Sequence, residues 1–269
     1  MLQKVDEMVR EPSTPAAFVE RLQALAEGSR AANHPLLVAL AEGDFDDLRF
    51  ALRQFVGEYY YYSRRFTQAL GAVMSALDAP EHRAWLTGNT AEEAGVLDAG
   101  HERELAEAGI DPELVKAPHP ELFKRFLRAA GLSPDELART TPLVATSSWV
   151  ETFLAICRHG GQEQAVGALG LATEGIVGHM YRYVLAGIKR AWPEMPLQDR
   201  VFFDLHAMVD DDHADVLRRI AVALARTPEG RRQLAVGTIK ALNARATFFD
   251  EVLAHLRAGA FETYHERVA

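Results

Sequence analysis

Cysteine is nearly absent: Cys157 is the only one in 269 residues, so no intrachain disulfide and no thiolate-built metal site can form. Zinc fingers and iron-sulfur clusters are excluded. Positive charge is also scarce, with 29 Lys and Arg against 38 Asp and Glu and a formal charge of -9. The field of the whole molecule therefore repels phosphate backbones and anionic headgroups, which excludes nucleic acid and membrane surfaces as partners. No run approaches the roughly 20 apolar residues of a membrane span. Met1 to Pro15 mixes Lys4, Asp6, Glu7, Arg10 and Glu11 and does not read as a signal peptide, so a cytoplasmic location is expected. Alternating β-branched runs are missing too.

What remains has 48% apolar and 25% charged residues in the pattern of a helical domain. The periodicity predicts an all-α chain. A first helix spans about 15–27, and a long one about 46–77 with acids at its start. Others cover about 81–94, 119–130, 134–138, 143–159, 162–191, 196–226 and 228–257. Residues 94–118, charged and broken by Gly95, Gly100, Gly109, Pro112 and Pro118, read as an insertion in a single domain spanning 1–269.

The chemistry concentrates in Phe202 to His213. On one helix, His206, Asp210 and His213 lie within about 60° of each other, and two imidazoles with a carboxylate can close around one cation. Glu174 sits in a run of Gly, Ala, Leu and Val, where an ionised carboxylate costs several kcal/mol unless a metal or a cation holds it. Arg182 and Lys189 are the alternative partners. Glu92 and Glu93 follow Asn89, and inward-facing carboxylates and histidines are how helical bundles assemble two iron or manganese ions.

Asn89-x3-Glu93, His119-Pro-Glu-Leu-Phe123, Ala172-Thr-Glu174-Gly and His206-x3-Asp210-x2-His213, in that order, resemble the haem-oxygenase-like dimetal oxidases and oxygenases. That seven-helix, up-down bundle family shares its scaffold with haem oxygenases, TenA-type thiamin hydrolases and the pyrroloquinoline quinone synthase. The intervals agree, with 55 residues from His119 to Glu174 and 32 from Glu174 to His206. The resemblance implies that Glu93, His119, Glu174, His206, Asp210 and His213 are metal ligands, with Glu93, Glu174 and Asp210 as catalytic carboxylates. It implies two Fe(II) ions, with manganese as the alternative, O2 as co-substrate, an external electron donor and a homodimer. His119 stands 26 residues after Glu93, farther than the family usually places its first histidine. Either 94–118 is inserted or His101 is the ligand. The residues after His119 favour the former, and Glu92 competes with Glu93. Cys157 reads as buried filler. A haem alternative would need an early proximal histidine, for which only His34 is available.

Family outcomes include desaturation or cleavage of aliphatic amino acids, N-oxygenation of amines, decarboxylation of fatty acids and a conversion that consumes a tyrosine. Glu58, Tyr62 and Arg65 lie on neighbouring turns and suit an amine, a hydroxyl and a carboxylate, which favours a small amino acid or amine as substrate. A fatty acid would need an apolar channel, with Leu52, Phe55, Phe66 and Phe153 as walls. An iron-binding protein without organic substrate is the non-enzyme alternative. Of the consecutive tyrosines 59–62, two are expected to face the core.

Overall fold

A computed structural model describes residues 2–208 and 212–259 and contains no strand among them. Helix starts are set by side-chain caps on otherwise unpaired N–H groups. The Thr14 hydroxyl accepts from Ala17 at the start of α2 (Pro15–Glu27), and Asp47 accepts from Phe50 at the start of α4 (Leu48–Ser63). His34 caps α3 (Pro35–Glu42) through Nδ1, while its Nε2 lies 3.3 Å from Asp250, so both ring nitrogens are engaged. Pro15 and Pro35 occupy first turns, where a missing N–H costs nothing.

An additional helix, α1 (Leu2–Arg10), precedes the expected first one. The expected 46–77 helix is two: α4 ends at Ser63 and α5 (Phe66–Ala76) starts after a turn at Arg64 and Arg65. The turn leaves both arginines partly exposed, Arg64 over the Tyr61 ring and Arg65 paired with Glu151. All four tyrosines are buried, against the expectation of two. Tyr59 and Tyr62 pack on Trp149, Tyr60 stacks on Phe123, and the Tyr61 hydroxyl bonds the Leu137 carbonyl at 2.6 Å.

After α6 (Pro80–Glu93) the excursion carries α7 (Ala99–Glu107) and a short turn at Pro112–Leu114. Its ends meet: Gly95, at φ +80°, lies so close to the Ala117 backbone that a Cβ there would collide at 2.5 Å. The chain continues through α8 (His119–Ala129), α9 (Pro134–Leu137) and α10 (Val144–His159). A continuous rod follows, built of α11 (Gly161–Val166), a π-helical run Gly167–Glu174 and α12 (Gly175–Ala191). The rod is central. Its first part packs on α14 (Asp212–Leu224) and α15 (Pro228–Ala258), and its last part on α3 and α13 (Leu197–Met208). The expected 196–226 helix falls on α13 and α14, and 209–211 between them lie outside the described residues.

Candidate metal centre

Three helices deliver the donors. Glu93 is the last residue of α6, His119 the first of α8, and His206 lies in the last turn of α13. One ligand atom from each falls within 4.8 Å of the other two. His119 Nδ1 lies 3.0 Å from Glu93 Oε1, and the two imidazole rings meet edge to face at 5.0 Å. Glu174 closes the π run and lines the same cavity, of about 30 Å3, together with Tyr62, Phe66, Tyr181 and Phe202. That volume is on the order of one or two waters.

Electrostatics suit the donors to a cation. Burial alone would raise the Glu93 carboxyl, but the charge and hydrogen bond of His119, with His206 and His213 behind it, hold it below the ordinary value. Burial, reinforced by the charge of His119, lowers His206 to about 4, so it is a neutral imidazole at pH 7. His206 Nδ1 donates to the Phe202 carbonyl at 2.6 Å, which leaves Nε2 as the nitrogen with a free lone pair.

His213 is buried at the first turn of α14 and takes a different partner. Its Nε2 donates to Glu92 Oε2 at 2.9 Å, and Asn89 Nδ2 donates to its carbonyl. Burial would lower this histidine, but the Glu92 bond and the charges of Glu174, Glu92 and Glu93 push it to about 10. The other Glu92 oxygen lies 3.1 Å from His101 Nε2. The adjacent glutamates of α6 therefore divide: Glu93 faces His119 and His206, while Glu92 joins His101 to His213. This division was not legible beforehand, because two neighbours on a helix point about 100° apart and either order fits the motif. Asp210 lies outside the described residues.

The expected substrate trio does not converge. Tyr62 lines the cavity, but buried Glu58 accepts from the Leu143 N–H and the Thr146 hydroxyl, fixing the start of α10. Arg65 points outward to Glu151. The reason is the turn after Ser63, which removes Arg65 from the helical face that Glu58 and Tyr62 share. Of the proposed channel walls, Leu52, Phe55 and Phe153 are core residues, and only Phe66 reaches the cavity. Lys189 pairs with Asp204, not with Glu174. Cys157 is buried, and burial raises its thiol to about 12.

Sequence reasoning missed Arg245 of α15, which is 2% exposed. It donates to the Ala172 carbonyl at 2.9 Å and the Thr173 hydroxyl at 3.1 Å, directly before Glu174. The available signal was an arginine in register with Thr238, Leu242 and Phe249 on an otherwise apolar helix stripe.

The donor set fits non-haem iron: imidazole and carboxylate oxygen, no thiolate, and His34 fully engaged elsewhere. Comparison with known proteins agrees. The 4-aminobenzoate synthase of Nitrosomonas europaea is 24% identical over 238 residues, covering 87% of this chain and 90% of that protein. The 4-aminobenzoate synthase of Chlamydia trachomatis is 24% identical, covering 73% and 76%. Among solved structures, a CADD-like protein of unknown function from Nostoc punctiforme matches with a TM-score of 0.67 at 17% identity, covering 91% and 96%. A TenA homologue from Pseudomonas syringae matches at 0.67 and 13%, covering 88% and 91%. A protein from Shewanella denitrificans described as having a haem-oxygenase-like fold matches at 0.64 and 17% over 94% of each chain, so the helical architecture is of that type. The profile of the family described as iron-containing redox enzyme matches residues 53–246, and this chain belongs to that family.

Proposed function

We infer that this chain is a non-haem diiron enzyme that uses O2 to oxidise a compact amine or amino acid. The carrying observation is the meeting of Glu93, His119 and His206 beside Glu174 in one cavity. These four, with Asp210 and with His213 once it has given up its proton and left Glu92, would hold two Fe(II) ions. Iron in such a site supplies electrons for O2 reduction and open positions for small ligands. The protein does the rest. The Phe202 carbonyl fixes the His206 tautomer, and Tyr62, Phe66, Tyr181 and Phe202 keep bulk water from the donors. Only something of water or dioxygen size fits beside them, so an organic substrate enters by displacing part of the wall. Partly buried Phe66 is the side chain placed to give way.

A second reading, formation of 4-aminobenzoate, is favoured by the names of the curated relatives and by the aromatic rings of Tyr62 and Tyr181 on the cavity wall.

The test is O2 uptake by the anaerobically Fe(II)-loaded protein with panels of amino acids, amines and fatty acids, followed by mass spectrometry of products. The reading expects acceleration by an amine or amino acid. Acceleration by fatty acids alone rejects the substrate class, and 4-aminobenzoate formed without added substrate selects the second reading. Ferric iron accumulating far beyond the protein, with no organic product, overturns both.

A further inference from the structure

A fully buried guanidinium needs a reason. Taking it out of water costs several kcal/mol, and a core position that needed only volume would be filled at lower cost by Met or Leu. Arg245 has no carboxylate within 4.0 Å among the described residues. Its contacts are the Ala172 carbonyl, the Thr173 hydroxyl, the Met180 sulfur and the faces of Tyr62 and Trp149 at 5.7 and 5.5 Å. Two of these partners belong to the π run, and the residue after them is Glu174.

The π run is held in the same way at its other end. The Thr238 hydroxyl, two turns before Arg245 on the same face of α15, lies 3.1 Å from the Gly167 carbonyl oxygen and 2.9 Å from the Leu234 carbonyl oxygen of its own helix, so its one hydrogen is shared between the π run and α15. Within the run, the Thr173 hydroxyl donates back five residues to the Ala168 carbonyl at 3.0 Å, a span that fits the wide register and not the ordinary helix. The Ala168 and Ala172 carbonyls of the run thus accept side-chain donors, the second from α15, and the Gly167 carbonyl shares a third donor with α15 itself. Gly167 lets α15 approach this closely, since a Cβ there would lie 2.3 Å from the Leu234 carbonyl oxygen.

We propose that α15, through Arg245 and Thr238, imposes the π register that turns Glu174 into the cavity, making Arg245 a positioning residue for that carboxylate. Reversion of the run to ordinary helix changes the register by one residue and rotates Glu174 by about 100°, off the cavity face. The inference rests on Glu174 being a metal ligand.

The experiment is Co(II) titration of the full-length protein, followed by visible d–d absorption, in the parent, Arg245→Met, Arg245→Lys, Glu174→Gln and the Arg245→Met/Glu174→Gln double variant. Arg245→Met should keep the parent's far-ultraviolet circular dichroism, bind one of two Co(II) ions at least about tenfold more weakly and alter the absorption envelope. Arg245→Lys should restore part of the loss. The double variant should be little worse than Glu174→Gln alone, because both changes remove one ligand. Parent-like affinity and spectrum in Arg245→Met, or additive losses in the double variant, overturn the proposal while leaving the metal site standing. If Arg245→Met does not fold, Thr238→Val takes its place, with a several-fold loss expected that is again non-additive with Glu174→Gln; additivity overturns the proposal. A parent protein that binds no Co(II) removes the metal reading itself, and this proposal with it.

Discussion

Two histidines of the site are driven in opposite directions, and the opposition has a measurable consequence. His206 is lowered to about 4, so between there and its ordinary value near 6.5 the unfolded chain binds the extra proton, and stability is lost as pH falls through that window. His213 is raised to about 10, so its contribution is complete below about 6.5 and is lost as pH rises toward 10. Urea unfolding of chelator-treated protein should therefore show greatest stability near pH 6–7, and Glu92→Gln should flatten the alkaline side by removing the carboxylate charge that holds the His213 proton. An unchanged alkaline limb in that variant would mean that Glu92 does not hold His213. Glu58 serves a different purpose. Its carboxylate satisfies the Leu143 N–H and the Thr146 hydroxyl, so Glu58→Ala should cost about 2 kcal/mol in urea unfolding and leave iron content unchanged. Cys157, buried and with its thiol raised to about 12, should react with a thiol reagent only as fast as the protein opens.

At the scale of elements, the helices flanked by strong punctuation were legible. Pro15–Glu27 has Thr14 and Gly28 at its ends, and His119–Ala129 starts at a proline and stops before Gly131. The break at Arg64 and Arg65 was not legible, because neither glycine nor proline marks it and the apolar period runs on through Phe66. All four tyrosines are buried because the second half of α4, covered by α8, α10 and α12, has no solvent face, and periodicity assumes one. The π run is invisible to periodicity for another reason: its donors include Arg245, 72 residues beyond Thr173, and a run of Gly, Ala and Leu carries no mark of the wider register. Glu93, His119, Glu174 and His206, which the family resemblance nominates as ligands, line one cavity, whereas Glu92 and Arg245 act through partners distant in sequence. Gly167→Ala should destabilise by about 1–3 kcal/mol, since its methyl group meets main-chain atoms that cannot rotate away. The excursion between α6 and α8 makes the converse prediction. Gly95 and Ala117 already touch, so replacing residues 96–116 by a short Gly-Ser link should preserve metal binding at Glu93 and His119, as read by Fe(II) stoichiometry; loss of iron would make the excursion part of the site.

For the whole molecule, charge and packing divide the work. Most of the charged side chains behind the net charge of -9 are exposed, while the carboxylates of Glu93 and Glu174 and the imidazoles of His119 and His206, from α6, the central rod, α8 and α13, converge inside. No helix among the described residues is long and apolar enough to cross a membrane. Bringing Glu93, His119 and Glu174 together from positions up to 81 residues apart requires the whole bundle, so metal affinity reports on the global fold as well as on the ligands. The most direct measurement is the equilibrium Fe(II) stoichiometry of the intact protein beside His119→Ala and His206→Ala, each with circular dichroism to confirm the fold. Two ions per chain in the parent, falling to one or none in each folded variant, is the expected result; a parent that binds no iron, or variants that bind as much as the parent, would contradict the account.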